Sequence, residues 1–192
     1  ESVRDGITVN LVYDGRAARV TLDNAKVKEI EQYYDQCEAQ GANEHQIEES
    51  QKAVAQMEAI IGDPDRLCAV AKDFIHHYET RVAEGAMVAG KAMFVCMNRN
   101  IAYDLYKIIV EMRPQWSEKK ISDDETALTD KEKKELKPIE KIKLVMTRSK
   151  DDEPALYEML GTKDDRKEFD RQFKNPKSNF KIAIVVDMWL TG

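Results

Sequence analysis

Three polar stretches in this chain each follow a short apolar run directly, and they hold side chains suited to binding an anion. They are Met97-Asn98-Arg99-Asn100, Thr147-Arg148-Ser149-Lys150 and the residues from Asp187 onward. Continuous apolar runs of this kind read as strands of a parallel sheet buried on both faces. Such sheets carry their functional loops at the carboxyl ends of the strands. Asn98 and Arg99 lie just before a helical pattern, where free backbone N–H groups and the helix dipole favour an anion such as a phosphate. The same residues also fit an ordinary strand-to-helix turn with a solvated arginine. Other chemistry is sparse. His76 and His77 are adjacent, so on a helix they point about 100° apart and cannot share a metal from one face. Cys68 adds a second candidate ligand but does not make a site, and no metal is expected. The chain has no GxxxxGK[ST] phosphate loop and no acidic metal-binding tetrad, so no catalytic residue is assigned.

The elements that position these loops follow from periodicity. Residues 7–13 and 18–22 are β-rich runs around Asp14-Gly15-Arg16, and the Asp-Gly pair suits a tight hairpin turn. From Asn24 the pattern turns helical, with Val27, Ile30, Tyr34 and Cys37 on one face and Gly41 as terminator. Asn43 and Gln46 have the form of a capping box for a second helix ending at Gly62. Asp63-Pro64 opens a third, whose stripe is Leu67, Val70, Phe74, Ile75, Tyr78 and Val82. Residues 92–96 then form the first apolar strand, and 101–112 a helix with Ala102, Leu105, Ile108, Ile109 and Met112 inward, stopped by Pro114. The stretch 117–141 alternates charges with few large apolar residues and reads as an exposed, partly mobile insertion. Residues 142–146 are a second strand, helical material started by Pro154 runs to Leu160 and ends at Gly161, 163–173 is a short helix, and 182–186 is the third strand. Strands alternating with helices predict an α/β fold with a parallel sheet. Three domains are expected: a β-hairpin segment at 1–23, a helical segment at 24–89, and an α/β lobe at 90–192.

Composition bounds the function. The chain has 192 residues, 42% of them hydrophobic, enough for one α/β domain with additional helices. A net charge of −6 argues against a domain that holds nucleic acid by bulk positive charge, so any such contact must be local. No apolar run approaches the roughly eighteen residues of a membrane span, the first residues lack the pattern of a signal peptide, and a cytoplasmic protein is expected. Cys37, Cys68 and Cys96 lack CxxC spacing and read as reduced, buried thiols. The start without methionine and the end just after an apolar strand suggest a piece of a longer protein.

The third strand and its surroundings carry a resemblance to a family. Gly161-Thr162-Lys163, Arg166, Phe173 and the run Lys181-Ile182-Ala183-Ile184-Val185-Val186-Asp187-Met188-Trp189-Leu190-Thr191-Gly192 look like the second RecA-like lobe of superfamily-two helicases. The closing Val-Asp-Met-Trp-Leu-Thr-Gly resembles motif V of type I restriction enzyme R subunits. Phe94-Val95-Cys96-Met97-Asn98-Arg99 resembles their motif IV. The resemblance is specific over 90–192, weaker over 1–23 and compositional over 24–89.

The resemblance implies a RecA-like lobe, truncated at its carboxyl end, from a motor that translocates duplex DNA and leads to its cleavage. ATP and Mg²⁺ would be bound mainly by a first lobe absent here, so this stretch alone should neither bind nor hydrolyse ATP. Implied partners are duplex DNA, the modification and specificity subunits, and the first lobe and nuclease domain in cis. No membrane is implied. Asn98, Arg99, Thr147, Arg148, Thr162, Lys163, Arg166, Asp187 and Thr191 would line the nucleic-acid face, and Gly192 would open the turn toward the ATP cleft. Arg99, Arg148, Lys163 and Arg166 should gather at the carboxyl edge of the sheet. One departure from the family pattern is Val186, where many superfamily-two members have a phosphate-contacting threonine. Two other readings are a non-catalytic scaffold, with 24–89 binding a partner, and the second lobe of another superfamily-two translocase.

Overall fold

The computed structural model describes residues 57–85 and 90–186. The hairpin of 1–23, the helices expected before residue 57, and Asp187, Thr191 and Gly192 lie outside the described residues.

Helix α1 (Pro64–Ala83) begins as its sequence dictates: the Asp63 carboxylate accepts from the Arg66 N–H at 3.0 Å, and Pro64 occupies the first turn, where its missing donor costs nothing. Leu67, Ala71, Ile75 and Tyr78 are its buried face. Val82, expected on that stripe, is 43% exposed. Gly90 passes close to it, where a Cβ would lie 3.9 Å from the Val82 Cγ2, but glycine has no side chain to cover it.

Strand β1 (Ala92–Val95) leads into α2 (Arg99–Met112), which buries Ile101, Ala102, Leu105 and Ile109. Pro114 ends the helix, and the following 3-10 turn (Pro114–Ser117) drives Trp116 into the core against Tyr78, with ring centroids 5.5 Å apart. A short helix α3 (Asp130–Glu135) precedes β2 (Ile142–Val145). Helices α4 (Pro154–Leu160) and α5 (Lys163–Lys174) then return the chain to β3 (Ile182–Val185).

The three strands form a parallel sheet in the order β1-β3-β2, with Ala92, Ile182 and Ile142 in register at one end and Val95, Val185 and Val145 at the other. The fold is α/β and the sheet is open. Alternation along the strands divides the core. Ile142, Leu144, Ile182 and Ile184 face α1, α2 and α4 through Leu67, Leu105, Ile109 and Leu160. Val145, Ala183 and Val185 face the other way, onto Ile139, Phe169, Phe173 and Phe180.

Two expectations are modified. Both faces are covered over β3 and β2, but on β1 Met93 and Val95 are 39% and 50% exposed, because the phenylalanines of α5 sit over the other two strands. The stretch 117–141, expected to be an exposed insertion, is anchored to the body. Leu128, Leu136 and Ile139 are buried, Lys120 and Ile139 form an antiparallel bridge, and Thr129 with Glu132 builds a full capping box on α3. Three apolar residues are enough to attach it, and their low density in the sequence hid this. Among the described residues no helix is long and apolar enough to cross a membrane.

Candidate nucleic-acid interface at the carboxyl edge of the sheet

Because β1 and β2 run parallel to β3 in matched register, the loops after Val95 and Val145 leave the sheet at the same edge, on either side of the central strand. The first loop passes through Cys96, buried so that its thiol is pushed up to about 11, and reaches Asn98. The Asn98 side chain caps α2 by accepting from the Ile101 N–H at 2.9 Å. One of the donors expected to be open to an anion is therefore already satisfied within the protein.

Arg99 reaches across to the second loop. Its Nη2 donates to both Asp152 oxygens at 2.5 and 2.6 Å, its Nε donates to Oδ1 at 3.2 Å, and its Nη1 donates to the Thr147 carbonyl at 2.6 Å. The Asp152 side chain is only 5% exposed and also accepts from the Ser149 N–H at 2.7 Å. Burial alone would push this carboxyl up. The hydrogen bonds from Arg99 and Ser149, with the Arg99 charge, overcome that and hold it below the usual carboxylate range.

Arg148 lies differently. Its guanidinium carbon sits 4.4 Å from the centroid of the Tyr157 ring on α4, and its buried Nε has no hydrogen-bond partner among the described residues. Tyr157 is itself 42% exposed. A guanidinium on an aromatic face keeps its charge available to a further partner.

Thr162, Lys163 and Arg166 form a second group, on the first turn of α5. Thr162 caps the helix in a reciprocal box with Asp165: Asp165 accepts from the Thr162 N–H at 2.7 Å, while the Thr162 hydroxyl oxygen accepts from the Asp165 N–H at 3.2 Å. These bonds, chiefly the Thr162 backbone donor, hold the Asp165 carboxyl below its ordinary value, and the charges of Arg148 and Lys143 act in the same sense. Lys163 is exposed, and Arg166 reaches back to the Gly161 carbonyl at 3.4 Å. The structure thus brings Asn98, Arg99, Thr147 and Arg148 together at the edge. No hydrogen bond or ion pair among the described residues links Thr162, Lys163 or Arg166 to them, and only the charge of Arg148 reaches this group, at Asp165.

A cavity of about 680 Å³ borders this α5 group, with Gly161 and Asp165 in its lining, and extends between α5 and the segment leading into β2. Its lining mixes both signs of charge, with Lys143 3.2 Å from Glu140 and Lys119 and Lys137 each 3.8 Å from Glu140 and Glu168 respectively. Two residues of the edge escaped the reading of the sequence, Asp152 and Tyr157. The available signal for Asp152 was the acidic run Asp151-Asp152-Glu153 directly before a helix-starting proline. Tyr157 carried none beyond its place on a short helix.

No family model matches the chain, and no solved structure matches it. Two curated proteins do. The type I restriction enzyme HindI endonuclease subunit of Haemophilus influenzae is 31% identical over 196 residues, covering 100% of this chain and 16% of its own length. A provisionally named type I restriction enzyme MjaIXP endonuclease subunit of Methanocaldococcus jannaschii is 31% identical over 191 residues, covering 98% of this chain and 16% of its own length. The chain therefore spans about one sixth of the relatives it matches. Along its whole length it is homologous to type I restriction enzyme endonuclease subunits.

Proposed function

We propose that this chain is part of the second RecA-like lobe of a type I restriction endonuclease motor. It grips the DNA backbone at the carboxyl edge of its sheet while ATP-driven closure of two lobes moves duplex DNA toward cleavage. The observation that supports this best is the match of the whole chain to endonuclease subunits. The sheet agrees with it, since its carboxyl edge carries the basic and hydroxyl groups such a grip needs. In this reading ATP and Mg²⁺ are held mainly by residues outside the chain, and the chain alone does not hydrolyse ATP. The modification and specificity subunits, the first lobe and the nuclease domain are its partners, in the cytoplasm.

The test uses the full subunit in its assembled complex. Arg166→Ala and Thr191→Ala should each lower translocation and DNA-stimulated ATP hydrolysis together, because lobes of this kind close productively around a bound strand. Lys72→Ala, on the exposed side of α1, should leave both at the wild-type level. Wild-type rates for both motor substitutions would defeat the reading.

A further inference from the structure

The two arginines at the sheet edge are held in opposite ways. Arg99 is neutralised: Asp152 takes three of its contacts, the Thr147 carbonyl takes a fourth, and the carboxylate is nearly inaccessible to water. A phosphate approaching Arg99 would meet the negative Asp152 at the same place. Arg148 makes no ion pair among the described residues, and its guanidinium rests on the half-exposed ring of Tyr157. The carboxylate whose charge it feels, Asp165, is occupied by the Thr162 N–H and hydroxyl.

The peptide groups that flank Arg148 matter as much as its side chain. Immediately before it, the Thr147 carbonyl accepts from Arg99, and immediately after it, the Ser149 N–H donates to Asp152. The Arg99–Asp152 pair therefore fixes the backbone on both sides of Arg148. It also joins the loop after β1 to the loop after β2 across the end of the central strand. Bidentate charge-assisted pairing of this kind carries geometric specificity as well as energy.

We infer that Arg99 and Asp152 are a clasp, and that the clasp, with the Tyr157 ring, presents Arg148 as the cation that contacts a nucleic-acid phosphate at this edge. The inference rests on the reading of this edge as a DNA interface. It makes Asp152 a positioning residue and removes Arg99 from the phosphate contacts. A planar guanidinium braced on an aromatic face, with no hydrogen bond to its terminal N–H groups among the described residues, is suited to bidentate phosphate recognition.

The decisive measurement is the affinity of the assembled complex for duplex DNA as a function of salt concentration. Each phosphate contact adds about 0.9 to the slope of log affinity against log salt. Arg148→Ala should weaken binding and make that slope shallower by about this amount, whereas Arg148→Lys should retain most of it. Asp152→Asn separates the two roles of Arg99 by sign. If Arg99 were itself the phosphate cation, removing its intramolecular anion would free it and tighten binding. As a clasp, the pair loosens, Arg148 loses its position and binding weakens. A slope unchanged in Arg148→Ala would overturn the inference, as would unchanged or tighter binding in Asp152→Asn. Arg166→Ala, outside the clasp, keeps the two levels distinct. Weaker binding there with no effect at Arg148 or Asp152 defeats only the clasp, whereas wild-type binding in all three variants defeats the DNA interface itself.

Discussion

Gly161 carries more of this fold than its size suggests. It closes α4 at φ +64° and ψ 179°, a backbone conformation that is essentially restricted to glycine, and a Cβ added there would lie 2.8 Å from the Asp165 Cβ. Gly161→Ala should therefore destabilise the chain by about 1–3 kcal/mol, read as a lower urea midpoint at unchanged slope; an unaltered midpoint would mean that the turn relaxes freely. At this scale the sequence was legible where a residue acts on its own neighbours. Gly161 as a terminator and Asn98 ahead of a helix both follow from local rules. The role of Arg99 was not legible, because its partner lies 53 positions away. A sequence places an arginine at a strand end, but only tertiary structure says whether its charge is already spent.

The helices are the elements that sequence specified best, and α5 illustrates why. Its start is written in four consecutive residues, since Thr162 and Asp165 at the first and fourth positions cap each other. Thr162→Ala should cost about 1 kcal/mol in denaturant unfolding. It should also raise the Asp165 pKa, because the hydroxyl that helps stabilise the carboxylate is gone. An Asp165 titration that does not move on NMR would show that the Thr162 backbone donor alone sustains the box. The same local grammar predicted α4 from Pro154 to Leu160, as observed. For 117–141 it gave the largely exposed surface but not the anchors, since Leu128, Leu136 and Ile139 reach the core from a segment dominated by charge. Propensity and charge density describe a segment's surface. Three well-spaced apolar side chains are enough to attach it.

At the scale of the whole molecule, the alternation of strands and helices announced an α/β sheet, but the order β1-β3-β2 was not legible, because nothing in a strand's own residues names its neighbour. That order creates a feature that sequence alone did not reveal. Lys91, Lys141 and Lys181 each precede a strand, and the pairing sets them side by side along the amino edge, opposite the candidate interface. Lys141 pairs with Asp123 at 3.1 Å, Lys181 donates to the Pro176 carbonyl at 2.7 Å, and Lys91 donates to the Phe180 carbonyl while lying 5.2 Å from the Phe173 ring centroid. Burial, with a smaller contribution from the Lys181 charge, pushes Lys91 down from its ordinary 10.5 to about 7, and Asp123 only partly opposes this. The unfolded chain therefore binds a proton at Lys91 through a window, from about 7 to 10.5, in which the folded chain has released it. Stability attributable to this group must rise with pH across that window, and its protonation penalty is fully present below it. Lys91→Met keeps an apolar stem against Phe173 and removes the titrating amine. Denaturant unfolding of the 192-residue chain at several values between pH 7 and 9.5 should give a shallower rise of stability with pH for the variant than for wild type. Parallel pH dependences for the two proteins would mean that Lys91 stays protonated in the folded state, with the Phe180 carbonyl and the Phe173 face sufficient to hold its charge.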